Sequence, residues 1–211
     1  IAEQNALVFA SGLAAGGMHP VVAIYSTFLQ RAYDGLIHDM AIQNLPIVVC
    51  IDRAGIVGPD GPTHQGIFDI AFTRCIPNLI IMTPSDLKEQ YLMLNTAYKS
   101  NKPALVRYER GCDDTDISTL TLDETIEIGK AKVLNEGRDI AILAFGSIAK
   151  KLMPTCVKHQ VTLVDMRFVK PLDRELIRKV SKTHKVLITV EEGVIEGGIG
   201  QEVCLEAIAH N

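Results

Sequence analysis

The sequence contains no tryptophan, and only 5% of its residues are aromatic. A core must therefore rest on Ile, Val, Leu and Ala, which a 47% hydrophobic content supplies. Positive charge is also in short supply. The 21 Lys and Arg against 25 Asp and Glu give a formal net charge of −4. No basic field exists to gather a phosphate backbone, so nucleic-acid binding is not expected. The five cysteines (Cys50, Cys75, Cys112, Cys156 and Cys204) are scattered, odd in number and without a C-x-x-C pair. That argues against a zinc ribbon or redox motif and for reduced thiols. From Ala6 to Gln30 there is no Asp, Glu, Lys or Arg. Gly12, Gly16-Gly17 and His19-Pro20 break this run too often for a membrane span of about 20 residues. It reads as helix, turn and strand, interior in the native assembly. Residue 1 is Ile, not Met, so the numbering is expected to begin inside a longer or processed chain.

What is present is an alternation. Val21–Tyr25, Pro46–Asp52, Leu79–Met82 and Ala104–Tyr108 are short, continuous Val/Ile/Leu-rich runs, the pattern of strands in a parallel sheet buried on both faces. Helices are expected between them. Over Thr27–Gln43, Phe28, Ala32, Leu36 and Met40 recur in steps of four. Asp86–Lys99 follows Thr83-Pro84-Ser85, a start signal with Thr as the expected cap. The acidic, aperiodic stretch 112–124 reads as a linker. After it, strands are expected around 125–134, 139–145, 161–165 and 185–190, with helices around 148–158 and 173–182, a Gly-rich segment over 193–200 and a further helix from about 201. The expected fold class is α/β: two three-layer domains with mainly parallel sheets, over 1–111 and 125–211.

Open α/β sheets bind ligands beyond the carboxyl ends of their strands. Those ends deliver Tyr25, then Asp52-Arg53, then Arg107, Tyr108, Glu109 and Arg110. The loop from Arg53 to Gly66 holds four glycines and two prolines together with Asp60 and His64. Glycine and proline fix turns and let backbone approach a ligand. Arg53 offers a fork for phosphate or carboxylate. His64 can move protons near neutral pH, and Asp60 could orient it or bind a hydroxyl. Glu3, from spacing alone, is an acid in the first helical turn, favoured by the helix dipole. The 193–200 glycines look like a phosphate cradle, a weak signal by itself.

These residues resemble a family. Ala2-Glu3-Gln4, Ile24–Asp34, Asp52-Arg53-Ala54-Gly55, Asp60–Gly66 and Val106–Gly111 closely resemble the 1-deoxy-D-xylulose-5-phosphate synthases, thiamine-diphosphate-dependent enzymes of transketolase type. The resemblance covers essentially the whole chain. It implies an N-terminally truncated pyrimidine-binding domain over 1–111 and a C-terminally truncated transketolase C-terminal-like domain over 125–211. The diphosphate and Mg²⁺ ligands would then lie in a missing N-terminal domain, with no metal ligands here. Glu3 looks like the glutamate that hydrogen-bonds the cofactor's aminopyrimidine and promotes its activation, and Phe28 like the aromatic stacked on that ring. Tyr25, Arg53 and Arg110 resemble the residues that hold the acceptor, with the arginines suited to its phosphate. His64 and Asp60 resemble the polar pair near the reacting carbons, and Arg31 a supporting residue. Asn5 stands where the family usually has His; Asn hydrogen-bonds but cannot titrate.

The implied reaction condenses pyruvate, with decarboxylation, and D-glyceraldehyde 3-phosphate, in a homodimer with no membrane partner, in a bacterial cytoplasm or a plant plastid. It is the first step toward isoprenoids by the non-mevalonate route. The fragment alone is expected to be inactive. Two alternatives remain at this point: the beta subunit of a 2-oxo acid dehydrogenase or split transketolase, and a non-catalytic α/β binding module.

Overall fold

The computed structural model describes residues 2–209; Ile1, His210 and Asn211 lie outside that range. The chain opens with α1 (Glu3–Ala15), turns at Gly16-Gly17, and enters β1 (Val21–Tyr25). The expected single helix over Thr27–Gln43 is instead a composite. It runs through α2 (Ser26–Leu29), a 3-10 turn (Gln30–Ala32), α3 (Tyr33–Gly35) and a π turn (Leu36–Ala41). The physical reason lies in the spacing. A strict four-residue apolar step drifts off a 3.6-residue helix. Wider i to i+5 bonds, such as Ile42 N–H to the Ile37 carbonyl at 2.9 Å, let Leu36 and Met40 both reach full burial.

Next come β2 (Val48–Asp52), α4 (Asp69–Thr73), β3 (Ile80–Met82), α5 (Leu87–Lys99) and β4 (Ala104–Arg107). The cap of α5 is Asp86, whose carboxylate accepts from the Glu89 N–H at 2.8 Å; it is not Thr83. Thr83 is engaged elsewhere, its N–H donating to the Arg167 carbonyl at 2.8 Å. Between β4 and β5 (Lys132–Asn135) there is neither helix nor strand. The second half follows with β6 (Ile140–Phe145), α6 (Ile148–His159), β7 (Thr162–Asp165), β8 (Phe168–Lys170), α7 (Arg174–Thr183), β9 (Val186–Glu191) and α8 (Ile199–Ile208).

Two sheets result, in the orders β1-β2-β4-β3-β8 and β5-β7-β6-β9. Both are mostly parallel; only β8 on β3 and β5 on β7 run antiparallel. Strand alternation sends residues to opposite faces. Ile24, Val49, Ile51 and Leu105 join α1's Leu7 and Ala10 in one cluster, while Val48, Cys50, Met82 and Val106 join α5's Met93 and Ala97 in another. In the second sheet, Leu143, Phe145 and Val164 pack with Ile177 of α7 and Val203 of α8, and Ala144 and Leu163 pack with Ala149 and Cys156 of α6. Each sheet thus has helices on both faces.

The β8 pairing was not anticipated. It carries a strand from the second half onto the first sheet, where Phe168 is fully buried beside Met82 and Val106. The charge-free stretch is not interior within this chain, since Val8, Phe9, Met18 and Val21 are exposed. Among the described residues no helix is long and apolar enough to cross a membrane, and the five cysteines are free thiols.

Candidate functional site

The carboxyl ends of β1 and β2 and the chain leaving β4 bring the anticipated residues together. Tyr25 closes β1, and one step into α2 its ring stacks on Phe28, with centroids 5.5 Å apart and planes 10° apart. The Arg53 guanidinium lies over Tyr25 at 4.4 Å, that of Arg31 over Phe28 at 5.0 Å, and His64 meets Phe28 edge-on at 5.4 Å. Flat guanidinium groups over aromatic faces are held by the ring quadrupole. Arg53 adopts a left-handed φ of 54°. Its own N–H donates to the Asp52 carboxylate at 2.7 Å.

Asp60 sits between the two arginines expected to bind phosphate. Its oxygens accept from Arg53 at 2.5 Å and pair with Arg110 at 3.1 Å. The Arg53 hydrogen bond, with Arg110 behind it, holds the Asp60 carboxyl below the usual carboxylate range. Asp60 therefore does not orient His64. The imidazole Nδ1 is instead 2.9 Å from the Thr63 hydroxyl, and the Thr63 carbonyl accepts from Thr27 at 3.0 Å. An ionised Asp60 between two cations can tune their charge but cannot act as a proton donor.

The base of the loop is closed by Gly55 and Gly66, which exchange hydrogen bonds of 2.7 and 2.9 Å. Gly55 has φ +79°, and a Cβ on Gly66 would come within 2.5 Å of the Arg53 carbonyl. Inside the loop the Gln65 amide accepts from the Val57 N–H and donates to the Gly61 carbonyl, both at 2.9 Å. A cavity of about 340 Å³ lies beside it, lined by Ser26, Thr27, Gln30, Thr63, Phe68 and Phe72 among others.

Glu3 is buried in the first turn of α1, which packs against the turn carrying Arg31. Asn5 is exposed. Arg107, counted with the edge arginines from its position, is buried instead. Its Nε donates to Asp69 at 2.6 Å. Asp69 opens α4, and nothing in its local sequence distinguishes it from a first-turn acid.

The other charged centre sits between the halves. Asp165 ends β7 fully buried; one carboxylate oxygen accepts from the Arg167 N–H at 3.0 Å and the other has no hydrogen-bond partner among the described residues. Arg167 also donates to buried Glu89 at 2.6 Å. Burial, with the Glu89 charge adding to it, pushes Asp165 up to about 6. The N–H groups of the glycine-rich 193–200 segment are largely engaged within the chain: Gly197 donates to the Gln201 side chain at 3.1 Å, Gly198 to the Ile195 carbonyl at 3.2 Å and Gly200 to the Glu191 carboxylate at 3.0 Å. Among the described residues no group of three or more His, Cys, Asp or Glu converges to hold a metal ion.

Comparison with known proteins places both halves of the chain in one family. Residues 1–112 match the family described as "Transketolase, pyrimidine binding domain", and residues 129–210 match "Transketolase, C-terminal domain". The 1-deoxy-D-xylulose-5-phosphate synthase of Mannheimia succiniciproducens is 57% identical over 204 residues, which are 96% of this chain and 33% of that protein. That of Haemophilus influenzae (strain PittGG) is 58% identical over 203 residues, 96% of this chain and 32% of that protein. The chain therefore spans about a third of the length of these curated relatives. A solved structure titled "Split gene transketolase, inactive beta4 tetramer" superposes with a TM-score of 0.84 at 28% identity, covering 99% of this chain and 69% of that one.

Proposed function

The chain belongs to the transketolase family, and we propose that it forms the pyrimidine-binding and C-terminal parts of a 1-deoxy-D-xylulose-5-phosphate synthase. The observation that carries this reading is the convergence of Arg53 and Arg110 on one carboxylate beside a Tyr25–Phe28–His64 ring cluster. Two guanidinium groups against one carboxylate leave a positive excess for a phosphate, beside aromatic surface for a heterocycle. Identity of 57–58% to synthases, against 28% to the split transketolase, favours the synthase over a separate transketolase subunit. A non-catalytic module has no feature to recommend it, because it leaves this cluster without a task.

The substrates in this reading are pyruvate and D-glyceraldehyde 3-phosphate. Thiamine diphosphate, when bound, supplies the electron sink for decarboxylation and carbon–carbon bond formation. The residues fit its pyrimidine end: Phe28 offers an aromatic platform, and buried Glu3 offers a carboxylate to accept a hydrogen bond from a protonated ring nitrogen. The fit leaves Tyr25 and Arg31, which already contact the Phe28 ring, as neighbours of that heterocycle. Arg53 and Arg110 hold the acceptor's phosphate in charge-assisted bonds, with Asp60 yielding part of its hold on them. Tyr25 borders the acceptor, and the His64 imidazole moves the proton at the aldehyde oxygen. Mg²⁺ and the diphosphate fall to residues outside this chain. The working protein is a homodimer located in a bacterial cytoplasm, or in a plastid for a plant source. Domain limits of 1–111 and 125–211 with a 112–124 linker are part of the same proposal.

The test is steady-state kinetics on the full-length protein that carries this chain. Arg53→Ala or Arg110→Ala is expected to raise KM for D-glyceraldehyde 3-phosphate at least tenfold, as loss of a charged hydrogen bond of about 1.5–3 kcal/mol implies. KM for pyruvate should stay within about twofold. Equal effects on both substrates would remove the phosphate role.

A further inference from the structure

Arg107 ends β4 with its side chain only 5% exposed, among three hydrogen-bond acceptors from two separate stretches of chain, 66–69 and Glu192. Its Nε donates to Asp69 of α4 at 2.6 Å. One terminal nitrogen donates to the Gly66 carbonyl at 3.2 Å and to the Glu192 carbonyl at 2.7 Å. Gly66 is one half of the two-bond bridge that closes the Asp60–His64 loop, and Glu192 follows β9 in the second half. The other half of that bridge touches the same residue: a Cβ on Gly55 would run into the Glu192 side chain. Both glycines at the mouth of the loop therefore lean on the segment after β9, one through Arg107 and one directly.

We propose that Arg107 is a positioning residue through which the C-terminal half holds the 53–66 loop in the shape that binds the phosphorylated acceptor. This rests on the reading of that loop as the acceptor site. Guanidinium geometry is what the task needs. Its donors fan out in one plane and reach acceptors in different directions, whereas an ammonium gathers its donors on a single atom. Asp69 balances the buried positive charge. A merely structural ion pair would need only Asp69. The two carbonyl bonds go beyond it, and one of them ends on the loop closure.

The experiment uses the full-length protein with Arg107→Lys and Arg107→Met, the lysine variant keeping the charge beside Asp69. Two readouts are taken: amide hydrogen exchange over 55–66, and the KM of each substrate. The expected result is exchange at least tenfold faster across 55–66 in both variants, with other segments of the first sheet unchanged. KM for D-glyceraldehyde 3-phosphate should rise about tenfold or more while KM for pyruvate stays within twofold, and lysine should restore little. The idea is overturned by wild-type exchange in the loop, by parallel rises in both KM values, or by full rescue with lysine. If neither variant accumulates as folded protein, Arg107 is a folding residue and the proposal fails. Hydrogen exchange needs no activity. A wild-type protein without carboligation would therefore sink the functional reading and leave the loop measurement standing.

Discussion

At the carboxyl end of the first sheet, β1, β2 and the chain beyond β4 release Tyr25, Arg53 and Arg110 into one half-open cluster. At the same end of the second sheet, β7 and β9 release Asp165 and Glu191, and both turn inward. Asp165 accepts from the Arg167 backbone and Glu191 from that of Gly200. Each sheet has chemistry-bearing residues where the strand-end rule expects them. The difference lies in their partners. In the first sheet the side chains engage one another and leave groups that a ligand can recruit. In the second one oxygen of each carboxylate is committed to backbone, and the other is buried without a partner among the described residues, closed off from solvent. A strand-end position nominates a residue; bonding capacity that a ligand can reach makes it a site.

Breaking the first edge should cost catalysis without cost to stability. Glu3→Ala in the full-length protein is expected to abolish carboligation nearly completely, since the cofactor ring loses the carboxylate that accepts its hydrogen bond. A rate within about threefold of wild type, under about 1 kcal/mol of barrier, would sink that role. Changing the second edge should alter stability and leave catalysis alone. Asp165 is raised from 3.8 to about 6 by burial, so the fold binds its proton more tightly than the unfolded chain does. The sign follows: stability is greatest below about pH 4 and is lost as pH rises through 6. Asp165→Asn removes that slope and should gain up to about 3 kcal/mol over wild type by pH 7. Urea midpoints at pH 4.5 and pH 7 measure it, and parallel shifts at the two pH values would refute it. The smallest effect is expected at Asp173, which caps α7 through the Leu176 N–H and also accepts from Ala131, both at 3.0 Å. Asp173→Ala should lower stability by about 1 kcal/mol with kcat unchanged. A loss of kcat there would mean the two edges are less independent than drawn.

Much of this was legible in the sequence, and the reasons are local. Val21–Tyr25 is found as read, because a continuous β-branched run between turn signals has few other uses. The loop glycines and Arg53, Asp60 and His64 stood out because turn chemistry and rare side chains share one segment. What was hidden depends on long-range partners. Arg107 looks like any polar residue at a strand end until Asp69, Gly66 and Glu192 surround it. The Asp60 pairing is not readable from spacing, because His64 and Arg53 both lie close to it in sequence and only the fold turns it to Arg53 and brings up Arg110 from 50 residues away. The three residues of β8 are too few to show a period, and their partner strand lies in the other half of the chain.

That short strand has a consequence for how the protein can be cut. The outer side of β3 is closed only by β8, whose residues come from the second half of the chain. A piece ending near residue 124 would keep Tyr25, Phe28, Arg53, Asp60, His64 and Arg110 and still bare a row of unpaired backbone donors and acceptors on an apolar strand. Such an edge recruits other chains. The first half is thus not a portable module: its solubility is lent to it by Phe168–Lys170.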